Sequence, residues 1–139
     1  MTRRLFSLSR LIPLGLLLYW SLIVLGTHLP RSVVRLPAVN DKLLHLGAFL
    51  GLGVLLAAAA AVRRRPTWRL YGGLFLLALA YGALDEITQR LVPGRTAEVN
   101  DWFADAAGVA LGLLLHRVGL ALWQRREGPC VSVTRRAGG

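Results

Sequence analysis

Four apolar stretches alternate with blocks of charge along this 139-residue chain, and that alternation is the signature of a polytopic membrane protein. The runs cover residues 11–25, 43–62, 70–84 and 106–123. A helix needs about 20 residues to cross about 30 Å of hydrocarbon at about 1.5 Å each. Each run, with its flanking residues, is of that order.

The charges are sorted between the connections. Arg3, Arg4 and Arg10 precede the first run, Arg63, Arg64, Arg65 and Arg69 separate the second from the third, and Arg117, Arg125, Arg126, Arg135 and Arg136 lie at or after the end of the fourth. Six of the seven acids fall in the other two connections and at the helix ends beside them. The first set holds twelve bases and one acid, Glu127; the second holds five bases and six acids. Lys and Arg collect in cytoplasmic loops, so both termini and the middle connection are expected inside. A pI of about 11.5 would suit a nucleic-acid binder, but no basic stripe with aromatic or groove-reading neighbours lies on a soluble element, so nucleic acid is not expected as a partner.

Apolar residues make up 55% of the chain and mean hydropathy is +0.52, more than a soluble domain of this size needs for a core. The single cysteine, Cys130, falls in the expected inner tail, where a structural disulfide has no partner. Residues 1–26 have the basic start and apolar core of a signal peptide, but the small-residue cleavage pattern is weak and three further spans follow, so this segment reads as a retained helix. Helices are expected at about 11–28, 43–62, 69–90 and 101–123, in one domain over residues 1–126. Residues 127–139 form a basic tail whose Gly, Pro and Arg content suits disorder.

The third run is short. Fifteen residues give about 22 Å, which puts Asp85 and Glu86 at or just inside the edge of the hydrocarbon. Acids there face protein or a wet cavity, not lipid. Asp41 and Asp101 directly precede or open the second and fourth helices and are ready N-caps. Asp105 would share the same positive helix end. Asp85 and Glu86 differ, because they sit at a helix C-terminus where the macrodipole disfavours negative charge, and they need partners. Lys42, His45, Arg90 and Arg95, with Arg31, Arg35 and His28, are the available cations or near-cations at that level.

Asp41 and His45, Tyr81 and Asp85, Asp85 and Gln89, Glu86 and Arg90, and Asp101 and Asp105 are each four apart and can share helix faces. The polar residues should therefore converge in one cluster. Val92-Pro93-Gly94-Arg95 reads as a tight turn that folds Arg95 back over the acids, where its planar fork could clamp a carboxylate or phosphate. A contact of Lys42 with Glu86 is also expected.

Taken together, Asp41-Lys42-x-x-His45, Tyr81-x-x-x-Asp85-Glu86-x-x-Gln89, Pro93-Gly94-Arg95 and Asp101-x-x-x-Asp105-x-x-Gly108 resemble the VanZ-like family of small bacterial membrane proteins over about residues 38–116. Asp105 departs from the pattern, since Asn is expected there, and it adds a charge. The resemblance implies a compact helical membrane domain in the cytoplasmic (inner) membrane; with the four apolar runs and the charge asymmetry, the expected fold is all-α, a compact bundle of four transmembrane helices placed N-in/C-in. The founding type is associated with teicoplanin resistance and so with the cell envelope.

Two functional readings follow. In the first, the cluster binds an anionic envelope lipid or a lipid-linked precursor through Asp41, Lys42, His45, Tyr81, Asp85, Glu86, Gln89, Arg95, Asp101 and Asp105. In the second, the chain is a membrane enzyme acting on a lipid-linked phosphate, with Asp85, Glu86 and His45 as acid–base candidates. A non-catalytic packing or partner-modulating role for the cluster stands beside both. Only Thr88 and Thr96 offer hydroxyls in the cluster, so covalent catalysis is not expected. A divalent cation among Asp85, Glu86, Asp101 and Asp105 is a minor reading; without a spacing such as His-Glu-x-x-His, no metal or cofactor is expected.

Gly108-x-x-x-Gly112 and Gly47-x-x-x-Gly51 are spaced for close helix approach, within one protomer in preference to a dimer. Trp68, Trp123 and Trp102 suit interfacial belts, Trp20 suits packing between helices, and His116 and Arg117 can snorkel.

Sidedness has a direct check. With Cys130 replaced, one cysteine in the 93–98 turn should react with an impermeant maleimide from outside, and one at Arg64 should not. The reverse labelling would put the acidic cluster in the cytoplasm.

Overall fold

The structure, a computed structural model, describes residues 2–29, 40–95 and 98–127, with side chains from residue 10 to 126 within those ranges. Four helices account for nearly all of it: α1 (Thr2–His28), α2 (Asp41–Ala61), α3 (Trp68–Gln89) and α4 (Val99–Glu127). Strands are absent among the described residues. Arg31, Arg35, Thr96, Cys130 and the expected disordered tail beyond Glu127 lie outside the described residues.

All four helices are long and apolar enough to cross a membrane. Only a helix or a closed barrel can satisfy its backbone in hydrocarbon. Large apolar side chains cover the outside of the bundle: Leu17, Leu18 and Leu22 of α1, Leu76 and Leu84 of α3, and Leu114 and Leu122 of α4 are each more than half exposed. Lipid is the solvent such a surface fits.

Local sequence explains the ends. Asn40, not Asp41, caps α2, its side chain accepting from the Lys42 N–H at 3.1 Å, while Asp41 sits in the first turn. Likewise α4 begins at Val99, so Asp101 lies in the first turn and is not the cap. Both acids still face the positive helix ends, where carboxylates are favoured. Thr67 caps α3 by accepting from the Leu70 N–H at 3.2 Å. After α3, the Arg95 N–H donates to the Val92 carbonyl at 3.1 Å, closing a turn with Pro93 and then Gly94 at φ 78°. Proline followed by a positive-φ glycine is the type II arrangement.

α2 and α4 make the most extensive contact, followed by α3 with α4 and α1 with α2. α1 and α4 do not meet among the described residues. Small residues make the central seam possible. A Cβ on Gly108 would strike the Leu46 carbonyl, one on Gly112 the Leu50 carbonyl, and one on Gly53 would come within 2.7 Å of the Val109 carbonyl. The two expected glycine pairs thus behave differently: Gly108 and Gly112 form the seam, whereas Gly51 makes room for Tyr19 of α1 and a Cβ on Gly47 meets nothing. Tyr19 then donates to the Ala48 carbonyl at 3.0 Å, tying α1 to α2.

The buried core runs through Phe49, Leu52, Leu56, Ala78, Val109 and Leu113. Phe49 stacks on Tyr81 at 5.9 Å, and Trp20 meets Tyr81 edge-on at 4.9 Å. That places Trp20 between helices. At the arginine-rich end, Tyr71 Oη lies 2.9 Å from His116 Nδ1, and the Arg117 guanidinium stands 5.5 Å over the Trp68 ring. His116 therefore helps join α3 to α4, a role beyond the snorkelling expected of it.

The seam makes a graded prediction. Gly112→Ala should lower stability in detergent by about 1–3 kcal/mol, because backbone must move to admit the methyl. Gly47→Ala should be neutral or stabilising by up to about 1 kcal/mol, since it adds helix propensity in open space. Equal melting temperatures for the two variants would show that the α2–α4 approach is not held by Gly112.

Candidate functional site

α1 and α3 end where α2 and α4 begin, so two negative and two positive helix ends meet at one level of the bundle. The side chains there answer the question posed by Asp85 and Glu86, which need partners against the α3 macrodipole.

Asp85 is only 3% exposed. Its Oδ2 accepts from Gln89 Nε2 at 2.7 Å, one turn on, and its Oδ1 lies 3.1 Å from Thr27 Oγ1 and 3.7 Å from His28 Nδ1. His28 Nε2 in turn is 3.0 Å from Thr88 Oγ1. Asp85 is thereby the knot that fastens the end of α1 to the end of α3. Thr27 was not singled out in the sequence. The available signal was a hydroxyl beside His28 at the end of an otherwise apolar span.

Glu86 solves the problem differently. Its Oε1 accepts a short hydrogen bond from the backbone N–H of Glu98, the residue that precedes α4. A carboxylate from α3 thus caps the positive end of α4, offsetting one helix dipole with another. Its second oxygen, Oε2, is buried without a hydrogen-bond partner.

Lys42 does not reach Glu86. Its Nζ lies 3.1 Å from Glu98 Oε2 and 3.7 Å from Asp101 Oδ1. The reason is the seam: Lys42 is in the first turn of α2 and faces the first turn of α4, while Glu86 is occupied by the α4 backbone. Glu98, given no role from the sequence, is the closest partner of the lysine. Arg95 is also corrected. It folds back, but onto α1 and not the acids: Nη2 donates to the Gly26 carbonyl at 2.6 Å and Nε to the Leu29 carbonyl at 3.4 Å. Cations favour exactly such carbonyl-rich helix C-termini. Arg90 is exposed.

Across the seam, one turn into each helix, His45 Nδ1 stands 2.9 Å from Asp105 Oδ1, with both residues buried. The other Asp105 oxygen has no hydrogen-bond partner and rests near Gly82 of α3. Trp102, expected in an interfacial belt, instead donates its Nε1–H to the Leu79 carbonyl of α3 at 3.1 Å. The Tyr81 hydroxyl is buried and unpartnered, so it does not bond Asp85 despite the four-residue spacing. Asp41, His45 and Asp101 each place one potential ligand atom within 4.8 Å of the others.

A cavity of about 330 Å³ opens between α1 and α2 beside this cluster. Thr27, Asp41, His45 and Arg95 line its polar part; Leu22, Ile23, Leu44, Ala48 and Phe49 line the rest, with Tyr19. Of the residues expected to bind, Asp41, His45 and Arg95 reach this wall, whereas Asp85, Glu86, Gln89, Asp101 and Asp105 lie behind it in the helix junction.

Pairwise coupling should separate these connections. Thr27→Val removes a hydrogen bond to a buried carboxylate and should cost about 1–3 kcal/mol, with non-additivity toward Asp85→Ala. Lys42→Ala and Glu86→Gln should add within about 0.5 kcal/mol. Strong Lys42–Glu86 coupling in thermal melts would contradict the observed pairing.

No curated protein and no solved structure matches the chain. A family model described as VanZ/LLP1 matches residues 3–122, a span that takes in α2, α3, most of α1 and α4, and the whole polar junction. The chain belongs to the VanZ/LLP1 family.

Proposed function

We propose that this VanZ-like membrane protein binds an anionic envelope lipid or lipid-linked precursor in the cavity between α1 and α2, and through that binding contributes to glycopeptide (teicoplanin) resistance. The protein sits in the cytoplasmic membrane with both termini inside and the polar junction at the outer leaflet. The charge asymmetry of the connections supports that orientation.

The amphipathic lining of the cavity carries the reading. Asp41, His45, Thr27 and Arg95 stand at the level of the helix ends, where a head group would lie, and Leu22, Ile23, Leu44, Ala48 and Phe49 continue inward along the course of an acyl or isoprenyl chain. Pockets for such ligands are mostly apolar with a few placed polar groups. Arg95 spends Nε and Nη2 on carbonyls, and a guanidinium has five N–H donors, so it keeps donors suited to a phosphate while staying fixed by α1. The association of the founding family type with teicoplanin resistance points to the envelope as the source of the ligand.

One observation favours the enzymatic alternative, acid–base chemistry on a lipid-linked phosphate. His45 lines the cavity and is oriented from behind by Asp105 at 2.9 Å, the arrangement of a positioned base. Asp85 and Glu86, the other acid–base candidates, are committed to helix junctions and lie off the cavity wall.

Native mass spectrometry of the protein in mild detergent, with added phosphatidylglycerol and in parallel a polyisoprenyl phosphate, tests the binding site. Ala48→Phe, which fills the apolar arm, and Arg95→Ala should each reduce bound anionic lipid by about tenfold or more, equivalent to about 1.4 kcal/mol. Arg90→Ala should leave it unchanged. Equal occupancy in wild type and Ala48→Phe, with both folded, would remove the cavity from the proposal. Turnover of the polyisoprenyl phosphate that is lost in His45→Gln would favour the enzyme.

A further inference from the structure

The end of the bundle opposite the polar junction is crowded with arginine, and one arginine there stands apart. Arg63, Arg64, Arg65, Arg69, Arg125 and Arg126 are exposed at helix ends or in the α2–α3 connection, and the sorting of basic residues across a bilayer accounts for them. Arg117 is half-buried and lies about three turns before the end of α4. Its guanidinium stands 5.5 Å over the Trp68 ring of α3. An aromatic face attracts the charge without using up the N–H groups. Among the described residues none of those N–H donors is hydrogen-bonded, and no carboxylate pairs with Arg117.

Neighbouring contacts hold this pair in place. Buried Tyr71, in the first turn of α3, lies 2.9 Å from His116, the residue before Arg117, so α3 and α4 are joined beside the guanidinium. Toward the tip of the bundle the field is positive. Gly108 against Leu46 and Gly112 against Leu50 set α2 and α4 parallel, and the same register brings Arg63 and Arg64 level with Arg125 and Arg126. Glu127 is the one acid in the sequence segments that make up this end. Toward the middle of the bundle the surface turns apolar. On α3, Gly72 lies one turn from Trp68, where an added Cβ would meet nothing, and Leu76 is 67% exposed. On α4, Leu114 lies one turn before Arg117 and is 52% exposed.

We propose that Arg117, held by Trp68, binds the head-group phosphate of an anionic phospholipid in the leaflet at this end, with an acyl chain running inward past Gly72 and Leu114. The planar fork of a guanidinium fits two phosphate oxygens at once. Basic sites between transmembrane helices near the membrane surface take lipid head groups of this kind. A free phosphate fits the fork equally well, but the open apolar surface on the inward side of Arg117 suits a ligand that carries its phosphate on hydrocarbon. The exposed arginines at the tip attract anionic lipid over a screening length of about 10 Å, whereas Arg117 supplies a fixed geometry. This site lies at the opposite end of the bundle from the polar lining of the α1–α2 cavity and does not depend on it.

The test is a titration of the full chain in mild detergent with phosphatidylglycerol, read by native mass spectrometry in wild type and in Ala48→Phe. A phosphatidylglycerol should remain bound when Ala48→Phe fills the cavity, and phosphatidylcholine should not replace it. Arg117→Gln should weaken that binding by about tenfold or more, since it removes charge-assisted hydrogen bonds. Arg117→Lys, which keeps the charge and loses the fork, should fall between Arg117→Gln and wild type. Arg126→Gln removes the same charge from the exposed end of α4 and should cost less, about threefold at most, as exposed charges do. Circular dichroism and melting temperature check that each variant is folded. Folded Arg117→Gln that holds phosphatidylglycerol as tightly as wild type overturns the proposal, as does an equal or larger loss in Arg126→Gln, which would make the attraction a diffuse field. Displacement of the lipid by millimolar inorganic phosphate would overturn the choice of a lipid ligand. Lipid lost through Ala48→Phe but not through Arg117→Gln would leave the cavity and remove this site, and the reverse would leave this site and remove the cavity.

Discussion

The backbone-to-backbone approach of α2 and α4 is the contact on which the rest of the bundle depends. In a bilayer no hydrophobic drive brings helices together, so association rests on packing and on polar contacts between helices. Gly108 and Gly112 supply the first by presenting no side chain to the Leu46 and Leu50 carbonyls. Once the two helices are that close, their first turns must face each other. His45 then meets Asp105, and Lys42 meets Glu98 and Asp101.

A second constraint comes from the helix ends. Placing acids at the C-terminus of α3 is unfavourable on that helix alone, and the fold compensates by using neighbouring ends. Glu86 serves as the cap of α4, and Asp85 gathers Thr27, His28 and Gln89 to fasten α1. Arg95 mirrors this on the opposite sign, binding the last carbonyls of α1. The polar junction is thus both the lock of the bundle and the wall of its cavity. α1, which touches α2 and α3 but not α4 among the described residues, closes that cavity from one side.

The four-residue spacings show how far sequence pattern reaches. Asp85 and Gln89 do bond, because both partners lie on one helix face and each is buried there. Tyr81 and Asp85 share a face yet do not bond, because Trp20 and Phe49 hold the tyrosine ring in an aromatic stack. The Lys42–Glu86 contact failed for a similar reason: the distance between two helices at a given level cannot be read from either helix, and a backbone N–H of the neighbouring helix had a prior claim on the glutamate. Thr27 and Glu98 escaped notice because their roles exist only between helices.

What the sequence determined by itself was the number of helices, their apolar exteriors, the gathering of acids at one set of ends, and the Pro93-Gly94 turn. These follow from run length, charge placement and residue-specific backbone preferences, all local along the chain. The tertiary structure alone decided which acid meets which donor, which glycines form the seam, that Asn40 and not Asp41 caps α2, and that Asp41, His45 and Asp101 come together. Those outcomes depend on helix rotation and spacing, and these are set by how side chains interlock across the seam, a property that no single helix carries.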